Sequence, residues 1–290
     1  MKKSLKPMKC AGLFLVSTLT FIACSEDEND SEEVIMDSEV ISISQLQYSD
    51  ESEQLSDDIA EIVEDVYTVD EISSTSKGTY LSDYLPDCAM VSTVAMDNIK
   101  EKTIDFGEGC ELQNGNILSG VIKLIYAIDM EAASKTITVQ LDNFKFNSVM
   151  VEGGASILRV RSNENGNPQS RATRNYKATW PDGEIASFTG NRTREWIEGY
   201  GTGFWGDNVF LITGDGTFTN QAGGLWTKII TTPLRREQSC RFIVSGVLEI
   251  SRNGTTASLD FGDGECNAKG LLTKPDGSTE EILLRRFLRN

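Results

Sequence analysis

Two kinds of hydrophobic spacing divide this chain. Between 51 and 72, Leu55, Ile59, Ile62, Val63, Val66 and Tyr67 recur at i, i+4, i+7, i+8, i+11 and i+12. That spacing lays them along one face of a helix. Ser56, Asp57 and Asp58 supply capping groups or first-turn negative charge. From Cys88 onward the runs are short, rich in Val, Ile, Thr and aromatics, and separated by turn signals. These include Gln113-Asn114-Gly115, Pro181-Asp182-Gly183, Asp215-Gly216, Arg252-Asn253-Gly254 and Lys274-Pro275-Asp276-Gly277. Asn-Gly and Asp-Gly supply the positive φ that tight hairpins need. The pattern predicts an all-β fold, an antiparallel meander or sandwich of roughly a dozen strands preceded by one amphipathic helix. Over 135–146 the apolar parity changes from Ile137, Val139 and Leu141 to Phe144 and Phe146, which predicts a bulge or bend near Asp142-Asn143.

Charge changes the picture of what precedes the strands. The whole chain carries −17, but Ser25 to Cys88 carries −19 and Ala89 to Asn290 only −2. A like-charged segment repels itself and stays extended and hydrated, so the acidity predicts a tether. On that reading 24–50 is an acidic tether and 51–72 a helix, either docked on the β domain or detachable for a partner. The domain itself spans 88–290. With no basic stripe to neutralise phosphates, nucleic acid is excluded as a partner.

The N-terminus has a targeting pattern. Lys2, Lys3, Lys6 and Lys9 precede an apolar stretch from Ala11 to Ile22, too short to span a bilayer as a permanent helix. Ala23 before Cys24 reads as a bacterial lipoprotein cleavage site. Residues 1–23 would be removed, and Cys24 would become a diacylated N-terminus held on a lipid bilayer. The rival is an ordinary secretory signal with an incidental Cys. Ser25-Glu26-Asp27-Glu28 then resembles the export signal of surface lipoproteins of the Bacteroidota, where Ser or Lys followed by acids routes the protein to the outer leaflet. That resemblance implies an outer-membrane location facing the cell exterior.

The strands contain a repeat. Thr103-Ile104-Asp105-Phe106-Gly107-Glu108-Gly109-Cys110 matches Ser258-Leu259-Asp260-Phe261-Gly262-Asp263-Gly264-Glu265-Cys266, with one extra residue before the second Cys. Each copy has an upstream Cys, Cys88 or Cys240, so 88–126 and 240–285 read as a duplicated hairpin. Four Cys allow three connectivities. The repeat selects Cys88–Cys110 and Cys240–Cys266, in keeping with an oxidising compartment. Asp-Phe-Gly here has no nucleotide loop or catalytic segment beside it and is not a kinase motif. Asp105, Glu108, Asp260 and Asp263 are oxygen donors and weak calcium candidates. No other metal or cofactor is indicated.

The chain has no His. That removes Ser-His-Asp and Cys-His nucleophiles, His-based zinc sites and His haem ligation. The enzymatic option left is a carboxylate pair of the glycoside-hydrolase kind, with Glu184, Glu195, Glu198, Asp207 and Asp215 as candidates. The expectation is that the protein is not an enzyme. All four Trp lie between Trp180 and Trp226. Trp180, Trp196, Tyr200, Phe204, Trp205 and Trp226 are therefore candidates for an exposed surface that stacks on a glycan or anchors an envelope protein. The alternative fate of these rings is the core of the β domain. Taken together, lipobox, acidic helical tether and repeated Asp-Phe-Gly-x-Gly Cys motif resemble a group of Bacteroidota surface lipoproteins, and that resemblance implies no reaction and no catalytic residue. The function expected is non-enzymatic binding or envelope interaction. Carboxylate hydrolysis and a purely structural envelope role are the rivals.

Overall fold

A helix of 33 residues, α1 (Ile43–Thr75), runs through the inside of a curled antiparallel sheet. The computed structural model describes residues 40–75, 80–129 and 131–284. Residues 1–23, read above as a signal peptide, Cys24 and the segment from 25 to 39 lie outside the described residues. The strands are β1 (Met90–Met96), β2 (Ile99–Asp105), β3 (Cys110–Glu111), β4 (Ile117–Ala127), β5 (Ser134–Phe146), β6 (Val149–Val160) and β7 (Gln169–Thr179). They continue as β8 (Ile185–Glu198), β9 (Val209–Asn220), β10 (Leu225–Glu237), β11 (Ile243–Arg252), β12 (Thr255–Asp263), β13 (Lys269–Thr273) and β14 (Thr279–Leu283). They form one sheet in sequence order from β1 to β14, with β3 alone off the path, continuing the line of β2 along β4. The meander forms and the sandwich does not.

The strands are amphipathic with period two. β7, for example, buries Ser170, Ala172, Arg174, Tyr176 and Ala178 and exposes the residues between them. The expected bend in β5 is present: the register shifts beside Asp142, and Asn143 takes φ +47°. Asp215-Gly216 departs from expectation, because it lies inside β9 and not in a turn. There Gly190 of β8 (φ +151°) faces Gly216, and Gly214 (φ +134°) faces Arg192. A Cβ on Gly190 would sit 2.2 Å from the Asp215 carbonyl oxygen, and one on Gly214 2.1 Å from that of Asn191. The glycines are what allow the sheet to fold sharply around α1.

The helix begins at Ile43 and ends at Thr75, wider than the 51–72 read from spacing, and it is no tether. From Gln45 to Ser73 not one residue is exposed. It belongs to one compact unit, Asp37–Asn290, with the strands. Its apolar face (Leu46, Leu55, Ile59, Ile62, Val63, Val66, Tyr67) fills the curl against Ile104, Leu124, Phe146, Phe188 and Phe210. A helix buried all round is normally apolar all round. This one is not, and its acids are answered by bases that the sheet points inward. Asp70 meets Lys100 and Lys102 on β2 at 2.7 Å each. Glu71 meets Arg159 on β6 at 2.9 Å. Glu53 meets Arg174 on β7, Arg192 on β8 and Lys228 on β10. Asp58 and Glu61 meet Arg236 on β10, and Glu61 also meets Arg194 on β8. The −19 of the leading segment is thus, over α1, the counter-charge of the sheet's inner face. Burying either set alone would cost several kcal/mol per ion.

Candidate functional site

Along the first half of α1 the sheet stands off and leaves an open-mouthed cleft with about 60 Å³ of room for the centres of water-sized molecules. Its sheet wall carries an apolar patch, Leu234 from β10, Leu248 from β11, and Leu259 and Phe261 from β12, joined by Phe242, Ile243 and Leu284, with Arg192 of β8 and Arg236 of β10 beside it. Its helix wall is polar. Ser49, Asp50, Glu53, Gln54 and Asp57 fall at i, i+1, i+4, i+5 and i+8, which is one face. Leucines opposite serine and carboxylate cannot close the gap by interdigitation, which accounts for the opening. Deeper in the same cleft Glu53 and Asp58 meet Arg192 and Arg236, and there the helix and sheet close on each other.

The electrostatics of the helix wall are set by burial and by the ion pairs. Burial alone would raise the Glu53 carboxyl, but Arg174, Arg192 and Lys228 outweigh it and hold it well below the ordinary value. Burial pushes the Lys228 ammonium down to about 8 despite Glu53, and its Nζ also donates to Ser49 Oγ at 3.0 Å. For Asp57 burial prevails over Arg194, 3.9 Å away, and its carboxyl is raised. At the edge of the cleft Arg241 has its Nε buried with no hydrogen-bond acceptor among the described residues.

The aromatic surface read from the sequence is not there. Trp180, Trp196, Trp205 and Trp226 are all buried. Three of their indole N–H groups are used internally: Trp180 donates to Glu51 Oε2 at 2.7 Å, Trp196 to Asn208 Oδ1 at 3.1 Å and Trp226 to the Val40 carbonyl at 2.7 Å. Trp196 packs on Tyr200, Trp205 and Phe210 with centroids 5.0–5.5 Å apart. Tyr200 donates to Glu71 Oε2 at 3.0 Å and has Arg159 over its ring. Large rings were needed inside because one helix cannot fill a curl of this width. Of the six candidates only Phe204, 59% exposed, and the rim of Tyr200 reach solvent.

Both disulfides, Cys88–Cys110 and Cys240–Cys266, are formed. The repeated acid has a structural role in both copies. Asp105 Oδ1 accepts the Gly107 N–H at 2.8 Å, and Asp260 Oδ1 accepts the Gly262 N–H at 2.9 Å. Asp105 therefore closes the turn after β2, and Asp260 braces the register shift inside β12. Glu108 and Asp263 are exposed, and no group of acids, Cys or His among the described residues is arranged to hold a metal. Three of the five candidate catalytic carboxylates serve other contacts. Glu195 accepts from Asn165 and Asn167, Glu198 pairs with Arg235, and Asp207 accepts from Thr202.

The cleft residues escaped sequence reasoning because its helix wall, over 46–58, and its sheet wall, mostly over 234–284, are far apart in the chain. The polar face of α1 was the available signal, since it has no apolar partner of its own. No family model, curated protein or solved structure matches this chain.

Proposed function

We propose that this protein is a non-enzymatic binding lipoprotein, anchored through acylated Cys24 in the outer membrane and facing the cell exterior, that takes an apolar-bodied ligand into the cleft beside α1. The cleft carries the reading. It sets an apolar patch (Leu234, Leu248, Leu259, Phe261) across from a polar helix face (Ser49, Asp50, Gln54, Asp57). A ligand with a long apolar body and a few polar groups would satisfy both walls and displace poorly held water. The lipobox and the acidic residues after Cys24 support the address, and two extracellular-type disulfides agree with it. Glycan stacking loses its support, because the rings that would perform it are in the core.

Two measurements test the two halves. Metabolic labelling with an alkyne fatty acid should tag the wild type and not Cys24→Ala, and an unlabelled wild type removes the anchor. Titration of the whole chain with a fluorescent long-chain fatty acid should saturate. Ala268→Trp, which places a ring in the cleft from a half-buried position, should weaken binding by about tenfold or more. Binding that never saturates, or that Ala268→Trp leaves unchanged, removes the cleft.

A further inference from the structure

The sheet path ends at β1 on one side and β14 on the other, and the two ends differ. β14 is five residues long and carries Glu280 and Glu281, which pair with Lys274 and Lys269. Charge and shortness are the usual protection of a sheet edge. β1, Met90-Val91-Ser92-Thr93-Val94-Ala95-Met96, has seven residues, no charge, no Pro and no Gly. It is exposed on both faces along its whole length, with Met90 65%, Val94 52% and Met96 61% accessible. Its strand neighbour is β2, and no other strand pairs with it among the described residues. The second copy of the hairpin shows how such an edge is used: β11, the counterpart of β1, is hydrogen-bonded on its outer side to antiparallel β10.

We propose that the outer edge of β1 pairs antiparallel with β1 of a second copy of this chain, about a two-fold axis at Thr93. Three observations choose this occupant. That register sets Met90 against Met96, Val91 against Ala95, and Ser92 against Val94, with Thr93 on itself, so small or apolar uncharged side chains oppose one another at every position. The hydrogen bonding agrees. The two-residue turn Asp97-Asn98 closes the Met96–Ile99 pair, so Met90, Ser92, Val94 and Met96 exchange bonds with β2. Val91, Thr93 and Ala95 then point their backbone groups outward, and Thr93 opposite Thr93 is a pair that can exchange them. Charge agrees as well. Copies at −17 repel each other, and an uncharged strand is where they can meet without setting like charges side by side. Such a contact is isologous and stops at two. One strand pair buries less than the roughly 1,200 Å² of a standard interface, so the dimer is concentration-dependent.

The test uses the whole chain with Cys10→Ser and Cys24→Ser, which leaves only the bridged cysteines. In that background, mild oxidation of Thr93→Cys should give a disulfide-linked dimer about tenfold faster than Ser92→Cys or Val94→Cys. Opposed residues in a bonded pair lie about 5.5 Å apart, and those offset by two positions lie beyond disulfide reach. Sedimentation velocity should show association of the unlinked chain, at loadings approaching about 1 mM if needed, and Thr93→Pro should abolish it. That residue is exposed and its N–H points away from β2, so the fold tolerates proline there. Equal cross-linking at 92, 93 and 94, association that Thr93→Pro does not alter, or a monomer at every concentration overturns the proposal.

Discussion

The two Cys-bearing hairpins have the same local structure and opposite surroundings. Each runs from a Cys through a two-residue hairpin turn to a strand that reaches Asp-Phe-Gly, where the Asp carboxylate accepts the Gly N–H two residues on, and is stapled at the base by its disulfide. Yet β1 is exposed on both faces, while β11 buries every second residue. β2 is held to the helix by Lys100 and Lys102 on Asp70, while β12 turns Leu259 and Phe261 toward the open cleft. Local chemistry therefore made one motif twice, and its place relative to α1 decided what each copy faces.

The Phe of the motif should break the symmetry most. Phe106 is fully buried, edge-on to Phe144 at 6.1 Å, and Phe106→Ala should cost about 3–5 kcal/mol. Phe261 borders existing space, so Phe261→Ala should cost about 1–3 kcal/mol, nearer the bare transfer value. Urea denaturation of the two variants measures the gap, and equal losses would mean that the cleft wall is packed as tightly as the centre of the sheet.

The disulfides should restore the symmetry. They close segments of 22 and 26 residues, and in the chain-entropy model each contributes about 3 kcal/mol, with little between them. Replacing Cys88 and Cys110 by Ser, or Cys240 and Cys266 by Ser, should lower stability alike in the same melts. A much larger loss for one pair would show that surroundings, and not loop closure, set its worth.

The smallest effect belongs to the repeated acid. Asp105→Ala and Asp260→Ala each remove one side-chain acceptor from an exposed N–H and should cost about 1 kcal/mol each. Thermal unfolding of both in parallel tests this. A loss confined to one copy would mean that the acid acts on something beyond its own Gly N–H.

Much of this was legible in the linear chain. The Asn114-Gly115, Asn253-Gly254 and Asp276-Gly277 turns, the bend at Asp142-Asn143 and both bridges fall where the residues indicated, because each depends on neighbours or on a repeated spacing. The helix was legible from Leu55 to Tyr67 and illegible before it, where Leu46 and Tyr48 stand among Ser, Gln and acids without a clear period. The acids misled for the same reason. A carboxylate beside water and a carboxylate beside an inward arginine look identical in one dimension, and Glu53 meets Arg174, Arg192 and Lys228 from three different strands. Arg159, Arg174, Arg192, Arg194 and Arg236 would each read as an outer-face residue of its strand, yet all are buried.

By itself, then, the sequence determined the period of each element, its turns, its cross-links and the N-terminal pattern that suggests an anchor. All of these arise from residues close in the chain or from a local pattern repeated. Only the tertiary structure decided that the acidic helix is a core and not a leash, that the tryptophans face inward, and that a cleft opens beside Ser49 to Asp57. Those outcomes depend on which charges and apolar surfaces the curled sheet brings opposite one another. Desolvation makes that pairing decisive, since an ion or a leucine is stabilised or penalised by what lies across from it, whatever precedes it in the chain.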